Sequence, residues 1–270
     1  MSLKKLVDRR LPWLAATVRL IRDQQLAAKW EVSRVHLGFE MAGPPGMAGA
    51  RAESEELNLF LELGRSADAF IDIGANCGLF TLAARHAGVP GVAIEPNLEN
   101  VRALLINLER NSFTDVEVFP LALSDNVGVL PLYGGQEGGS LTKGWSGIAS
   151  NYARLTPVNT MDGLFGGRFA GKRLVVKMDV EGNEYEVLRG ANSLLAQAPS
   201  PAWIVEHGFR ENFSGQVNPR FRALFELFWA RGYRSFTADS ARRPVFEADV
   251  DRWLTNGIRD FGFLNYLFLR

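Results

Sequence analysis

Two short runs in this 270-residue chain hold residue types that can bind a nucleoside-bearing ligand. Asp72-Ile73-Gly74-Ala75-Asn76-Cys77-Gly78 closes one apolar run and opens an amphipathic one. Ile94-Glu95-Pro96-Asn97 closes the next apolar run, about twenty residues after the glycine turn, the spacing at which an acidic residue reaches a ribose. Gly74 and Gly78 let the backbone turn tightly and approach a ligand. The helix that follows offers free N–H groups and a positive dipole end to an anionic group such as a carboxylate. Asp72 can accept from an ammonium, Glu95 can accept from both ribose hydroxyls, and Pro96 stiffens the turn. The plain alternatives are a ligand-free strand–helix turn and an ordinary surface carboxylate. A dinucleotide site wants G-x-G-x-x-G, whose second glycine admits the pyrophosphate. Here the spacing is G-x-x-x-G, Asn76 stands where close approach is needed, and Asp72 would face a pyrophosphate with negative charge. These features favour S-adenosylmethionine, a cationic cofactor bearing an amino acid, over a nicotinamide dinucleotide. An oxidoreductase and a non-catalytic module with a relic pocket are the alternative classes.

A second group follows two later apolar runs: Asp179 and Glu181 after Leu174–Met178, and Glu206 with His207 after Ala202–Val205. Methyl transfer is an in-line displacement at a sulfonium, so positioning supplies much of the catalysis. A hydroxyl nucleophile must also lose a proton, and a carboxylate or imidazole can take it. His207 suits that role by its ordinary pKa near neutrality, with Asp179 or Glu206 orienting it or binding substrate hydroxyls. The structural alternatives are Glu181 as a helix-end carboxylate, Glu206 paired with Lys177 or Arg210, and His207 as a core histidine. Three carboxylates and a histidine also suit a divalent cation, but acidic clustering alone does not predict a metal site.

The elements that must place these groups are strands alternating with helices. Strands are expected at 69–73, 91–94, 116–121, 174–178, 202–205, 234–237 and 263–269. Helices are expected at 54–63, 79–87, 98–111, 185–195 and 220–231. Such alternation implies parallel βαβ units with right-handed crossovers. Residues 125–162 interrupt the series with a strand-like alternation over Val127–Tyr133 and a Gly-Ser loop, and are expected to cover the ligand site. Residues 1–52 read as an N-terminal helical extension followed by a Gly-Pro loop from Met41 to Gly49, and 53–270 as the catalytic domain. Lys4, Lys5, Arg9, Arg10, Arg19, Arg22 and Lys29 make that extension basic. It suits a peripheral membrane surface or an anionic ligand, or else is a solvated face.

The 30 Lys+Arg against 30 Asp+Glu give no net charge and no support for nucleic acid as partner. The single cysteine, Cys77, forms no intramolecular disulfide, which points to a reducing, cytoplasmic compartment. No apolar stretch approaches the ~20 residues that span a bilayer.

The order DIGANCGLFT, IEPNLEN, FPLALSDNVG, GGSL, VNTMDGL, VVKMDVEGNEYEVLRGA, IVEH resembles the FkbM family of methyltransferases, across roughly Glu53 to Tyr233. Cys77 stands where many members have a small aliphatic residue. The resemblance implies a class I methyltransferase fold of Rossmann-like α/β type. That is a doubly wound, mainly parallel seven-stranded sheet with helices on both faces and an antiparallel last strand. It also implies S-adenosylmethionine as cofactor and a hydroxyl acceptor on a sugar, a glycosylated metabolite or a polyketide-like metabolite. Carried over by position, Asp72, Gly74, Asn76 and Gly78 would surround the methionyl part and Glu95 the ribose. Ala122, with Leu121 and Leu123, would cradle the adenine, and Ser124 and Asp125 would meet its exocyclic amine.

Overall fold

A computed structural model describes residues 31–43, 54–135, 138–148, 152–213 and 216–270. The basic N-terminal segment, with its expected helix and membrane contact, lies outside the described residues.

The chain enters through a short antiparallel hairpin, β1 (Glu31–Arg34) and β2 (Glu40–Gly43). Residues 41–43 are thus strand where a loop is expected. The next helix, α1 (Glu55–Gly64), starts where Ser54 accepts from the Leu57 N–H, with Glu55 and Glu56 in its first turn. The βαβ series then runs β3 (Ala69–Ile73), α2 (Leu79–His86), β4 (Gly91–Ile94), α3 (Leu98–Arg110) and β5 (Glu117–Phe119). β5 is shorter than the expected strand. Pro120 has no N–H for the ladder, and the residues beyond it, β6 (Ala122–Leu123), pair instead with β8 (Ala153–Asn159). With β7 (Gly128–Tyr133), these form a separate three-stranded sheet, which is the interruption the sequence shows. After α4 (Met161–Phe165) the main series resumes with β9 (Leu174–Met178), α5 (Glu184–Arg189), α6 (Asn192–Ala196) and β10 (Ala202–Glu206). The one helix expected at 185–195 is broken in two. At Gly190 the chain passes so close to Ser124 that a Cβ would sit 2.4 Å from its carbonyl oxygen. The chain closes with α7 (Phe221–Trp229), β11 (Arg234–Thr237), β12 (Pro244–Val245), α8 (Glu247–Asn256) and β13 (Asn265–Leu269).

The main sheet has the order β12-β11-β13-β10-β9-β3-β4-β5. The run from β5 to β10 is parallel, and β13 is antiparallel to both of its neighbours. There are eight strands rather than the seven expected; the extra one is the two-residue edge strand β12. Crossovers from β3 fill one side of it and β9 begins the other, so the chain reverses its winding between β3 and β9. A crevice opens beyond the carboxyl ends of strands at such a point.

Strand alternation decides which residues reach that crevice. Ile71, Ile73, Val176, Met178, Trp203 and Val205 face the core covered by α5 and α7. Phe70, Val175 and Ile204 face the opposite core, covered by α1 and α2. Asp72, Lys177 and Glu206 share this second parity, at the carboxyl ends of three neighbouring strands.

Asn107 on α3 locks the hairpin to the domain. It accepts from the Ala42 N–H at 2.7 Å and donates to the carbonyls of Ala42 at 2.8 Å and Cys77 at 2.9 Å. Among the described residues no helix is long and apolar enough to cross a membrane.

Candidate active site

A cavity of about 380 Å³ lies at the switch point. The turn after β3 forms its floor. Gly74 has φ +81°, and a Cβ there would lie 1.7 Å from the Asp179 carbonyl oxygen, so only glycine lets β3 and β9 close up at this point. Asn76 also has positive φ, and its Oδ1 accepts from the Cys77 N–H at 2.8 Å. Glu95, 5% exposed, ties the turn to β4. Its Oε2 accepts from the Asn76 N–H at 2.8 Å, and its Oε1 from the Asn97 N–H at 2.9 Å and the Asn100 amide at 3.3 Å. Burial raises Glu95 to about 7 despite those donors. Asp72, 1% exposed, is held by the Thr81 hydroxyl and raised by burial to about 6. Two buried carboxyls held this far up are poised to ionise when a cation or further donors arrive.

Asp72, Gly74, Asn76, Glu95, Leu121 and Ala122 all line the cavity, with Leu123 beside them. Three expected cofactor residues do not. Gly78 caps α2 with φ +94°, and a Cβ there would strike Leu104, so this glycine serves helix packing. Ser124 is buried, its N–H bonded to the Asn159 carbonyl. Asp125 pairs with Arg189 at 3.0 Å. The chain turns away from the cavity after Leu123 to follow β8, which carries both residues off.

Asp179, Glu181 and Glu206 line the same cavity. Glu181 is held by the covering segment: its Oε2 accepts from Trp145 Nε1 at 2.7 Å and its carbonyl from Ser140 Oγ at 2.6 Å. Trp145 packs edge-on against Phe213 and over Gly182, where a Cβ would lie 2.3 Å from its ring. Leu132, Gly139 and Leu141 of the same segment also line the cavity, so described residues of the interrupting segment cover it. Burial and the neighbouring charge of Asp179 push Glu206 well above the usual carboxyl range.

His207 is not brought to this group. It follows Glu206 by one residue, so it points to the other face, where its ring stacks on Phe221 at 5.3 Å and 7°. It is 1% exposed, and its Nδ1 is 3.6 Å from Glu184 Oε2. Among the described residues, no group of three or more His, Cys, Asp or Glu is placed to hold a metal ion.

The sequence reading named Lys177 only as a partner for Glu206, and it missed Glu56. Lys177, 3% exposed, has its Nζ 2.9 Å from Glu56 Oε1, 3.8 Å from Asp179 Oδ2 and 5.3 Å from the Phe80 ring centroid. A lysine inside the apolar run LVVKM is the signal that was available. Glu56 stands on α1, far from either motif, and nothing in its neighbourhood marks it.

A parallel sheet wound both ways from β3, closed by an antiparallel strand between β10 and β11, with an acid ending β4 over a glycine turn, defines a class I methyltransferase. The chain belongs to the FkbM methyltransferase family, whose Methyltransferase FkbM domain matches residues 72–235. It is similar to hexuronic acid methyltransferase AglP of Haloferax volcanii, 28% identical over 201 residues, 72% of this chain and 80% of that protein. Among solved structures it resembles precorrin-6y C5,15-methyltransferase of Geobacter metallireducens, with TM-score 0.39, 11% identity, and 66% and 72% of the two chains covered. It also resembles the 16S rRNA N2 G1207 methyltransferase RsmC of T. Thermophilus, with TM-score 0.45, 14% identity, and 90% and 50% covered.

Proposed function

We propose that this methyltransferase uses S-adenosylmethionine to methylate a hydroxyl of a sugar or a glycosylated metabolite. The observation that carries the reading is that one cavity gathers two sets of groups. One set is a glycine turn with the buried acceptors Asp72 and Glu95. The other is Asp179, Glu181 and Glu206.

The residues fit the cofactor. Glu95 Oε2 has one donor and room for a ribose hydroxyl, and Oε1 gains room for the second where a hydroxyl replaces the long Asn100 contact at 3.3 Å. Asp72 suits the ammonium, and Gly74 and Asn76 border the methionyl part. Leu121, Ala122 and Leu123 give the apolar wall an adenine needs. When bound, the cofactor supplies an activated methyl group on a sulfonium. This chain's residues then have two tasks: holding the acceptor oxygen in line and taking its proton. We assign both to Asp179 and Glu206, which line the cavity, with Glu181 as a further acceptor for substrate hydroxyls. A polyhydroxylated acceptor suits three carboxyls in one small space, and the AglP relative acts, by its name, on a hexuronic acid.

The test is transfer of labelled methyl from S-adenosylmethionine to a panel of neutral sugars, uronic acids and glycosides. Product labelled on a sugar oxygen, absent with Asp179→Asn, supports the reading. Labelled product only on nitrogen, carbon or nucleic acid overturns it.

A further inference from the structure

Lys177 is the one lysine that lines the cavity among the described residues, and three carboxyl-bearing elements face it. Glu56 comes from α1, Asp179 from the end of β9 and Glu206 from the end of β10. Asp72 on β3 and Glu181 after β9 complete the charged groups around it. The distances are unequal: 2.9 Å to Glu56 and 3.8 Å to Asp179. Glu56 comes from α1, ahead of residues 72–235 that match the family's domain.

Neighbouring carboxyls in a dry pocket do not both ionise readily. The one nearer a fixed cation takes the charge. Such a division would serve methylation of a hydroxyl: one carboxylate receives the acceptor's proton, and one acid donates a hydrogen bond and orients the substrate. We propose that Glu56 and Lys177 form a positioning pair that sorts the proton between the two acceptor-side carboxyls, leaving Asp179 as the base and Glu206 as the hydrogen-bond donor. In the step, the acceptor O–H proton goes to Asp179 and the acceptor oxygen forms its bond to the methyl carbon. The electron pair of the broken carbon–sulfur bond stays on sulfur. Asp179 afterwards returns the proton to solvent. Burial disfavours the Lys177 ammonium, but the neighbouring carboxylates, Glu56 and Asp179 first, outweigh burial and keep it charged. The Lys177 ammonium is therefore a fixed positive charge, and Glu56 partly offsets its field at Asp179 and Glu206.

The catalytic half of this inference rests on the methyltransferase reading; the electrostatic half does not. The experiment is a carboxyl-carbon NMR titration of Glu206 in the full chain, with the resonance assigned by its loss in Glu206→Gln. Glu56→Gln removes a negative neighbour and should lower the Glu206 midpoint. Lys177→Met removes the cation and should raise it, by about one pH unit or more for a charge at this range. The double variant removes both charges of the pair together, is the milder change if Lys177→Met does not fold, and should fall between the singles. Shifts in the same direction, or no shift in Glu56→Gln and the double variant, overturn the pair. With an acceptor from the screen above, Asp179→Asn should lose about 10²- to 10⁴-fold in kcat, and Glu206→Gln, which keeps a donor but changes the acceptor's contact, should lose less. The reverse ranking overturns the assignment of base and donor. Opposite NMR shifts in a chain that binds no S-adenosylmethionine would sink the functional reading and leave the pair standing.

Discussion

Glu95 is costly to the ligand-free protein, because a buried carboxylate loses hydration that three donors only partly replace. Its folded value of about 7 lies above the ordinary 4.5, so the stability it contributes is fully present below about 4.5. That contribution is lost as pH rises through 7. Asp72 behaves the same way between 3.8 and about 6. A cationic ligand that donates hydroxyls reverses the preference. Binding S-adenosylmethionine near pH 7 should therefore release protons, and affinity should fall as pH drops through 7 to 6. Calorimetry in buffers of different ionisation enthalpy reads the proton count; no release would mean that neither carboxyl meets the ligand. His207 makes a contrasting prediction. His207→Phe should leave the acid limb of the pH–rate profile in place, since its ring is packed on Phe221 rather than turned to the cavity. Loss of that limb would return the base to His207. The position of Glu95 could be read from the sequence because it ends a strand one βα unit after the glycine turn. The same alternation also shows that Glu206 and His207, adjacent in the chain, cannot both enter one cavity. Lys177 and Glu56 could not be paired in advance, because nothing local says that α1 crosses the end of β9.

The covering segment and the hairpin show how elements far apart in sequence hold the site. Trp145 joins the segment to Glu181 by one hydrogen bond and to Phe213 by an aromatic contact. Trp145→Ala removes both, and should speed release of S-adenosylhomocysteine by about tenfold or more if roughly 1.4 kcal/mol of closure is lost. Stopped-flow displacement measures this, and an unchanged rate would mean that the segment does not close the cavity. Asn107→Ala should leave the backbone groups of Ala42 and the Cys77 carbonyl without their partner. Each buried group so orphaned costs about 1–3 kcal/mol, so urea unfolding should show a loss of several kcal/mol. A loss under about 1 kcal/mol would show that the hairpin is not fixed through this residue. Elements with strong local patterns were legible: β3 and β9 are five-residue apolar runs, and Ser54 caps α1 as its type and position suggest. The break at Gly190 was not, because its cause is the nearness of Ser124, more than sixty residues away in sequence. Pro120 carried a readable signal, since it ends β5 by lacking an N–H.

The whole molecule is a two-faced sheet in which one parity builds the core under α5 and α7 and the other sends Asp72, Lys177 and Glu206 into the cavity. That division follows from strand alternation once the strand order is known. The order itself is legible only through the family resemblance and the handedness of βαβ crossovers. β12 was invisible, since two residues carry no periodicity. The central claim is that this crevice binds S-adenosylmethionine with Glu95 on its ribose. A calorimetric titration of wild type and Glu95→Ala with S-adenosylmethionine, with a nicotinamide dinucleotide as comparison, tests it most directly. Hydrogen bonds to a charged group contribute roughly 1.5 to 3 kcal/mol, so the variant should bind about 10- to 100-fold more weakly. The dinucleotide should not bind either protein. Equal affinity of a folded Glu95→Ala for S-adenosylmethionine, or binding of the dinucleotide alone, would contradict the account.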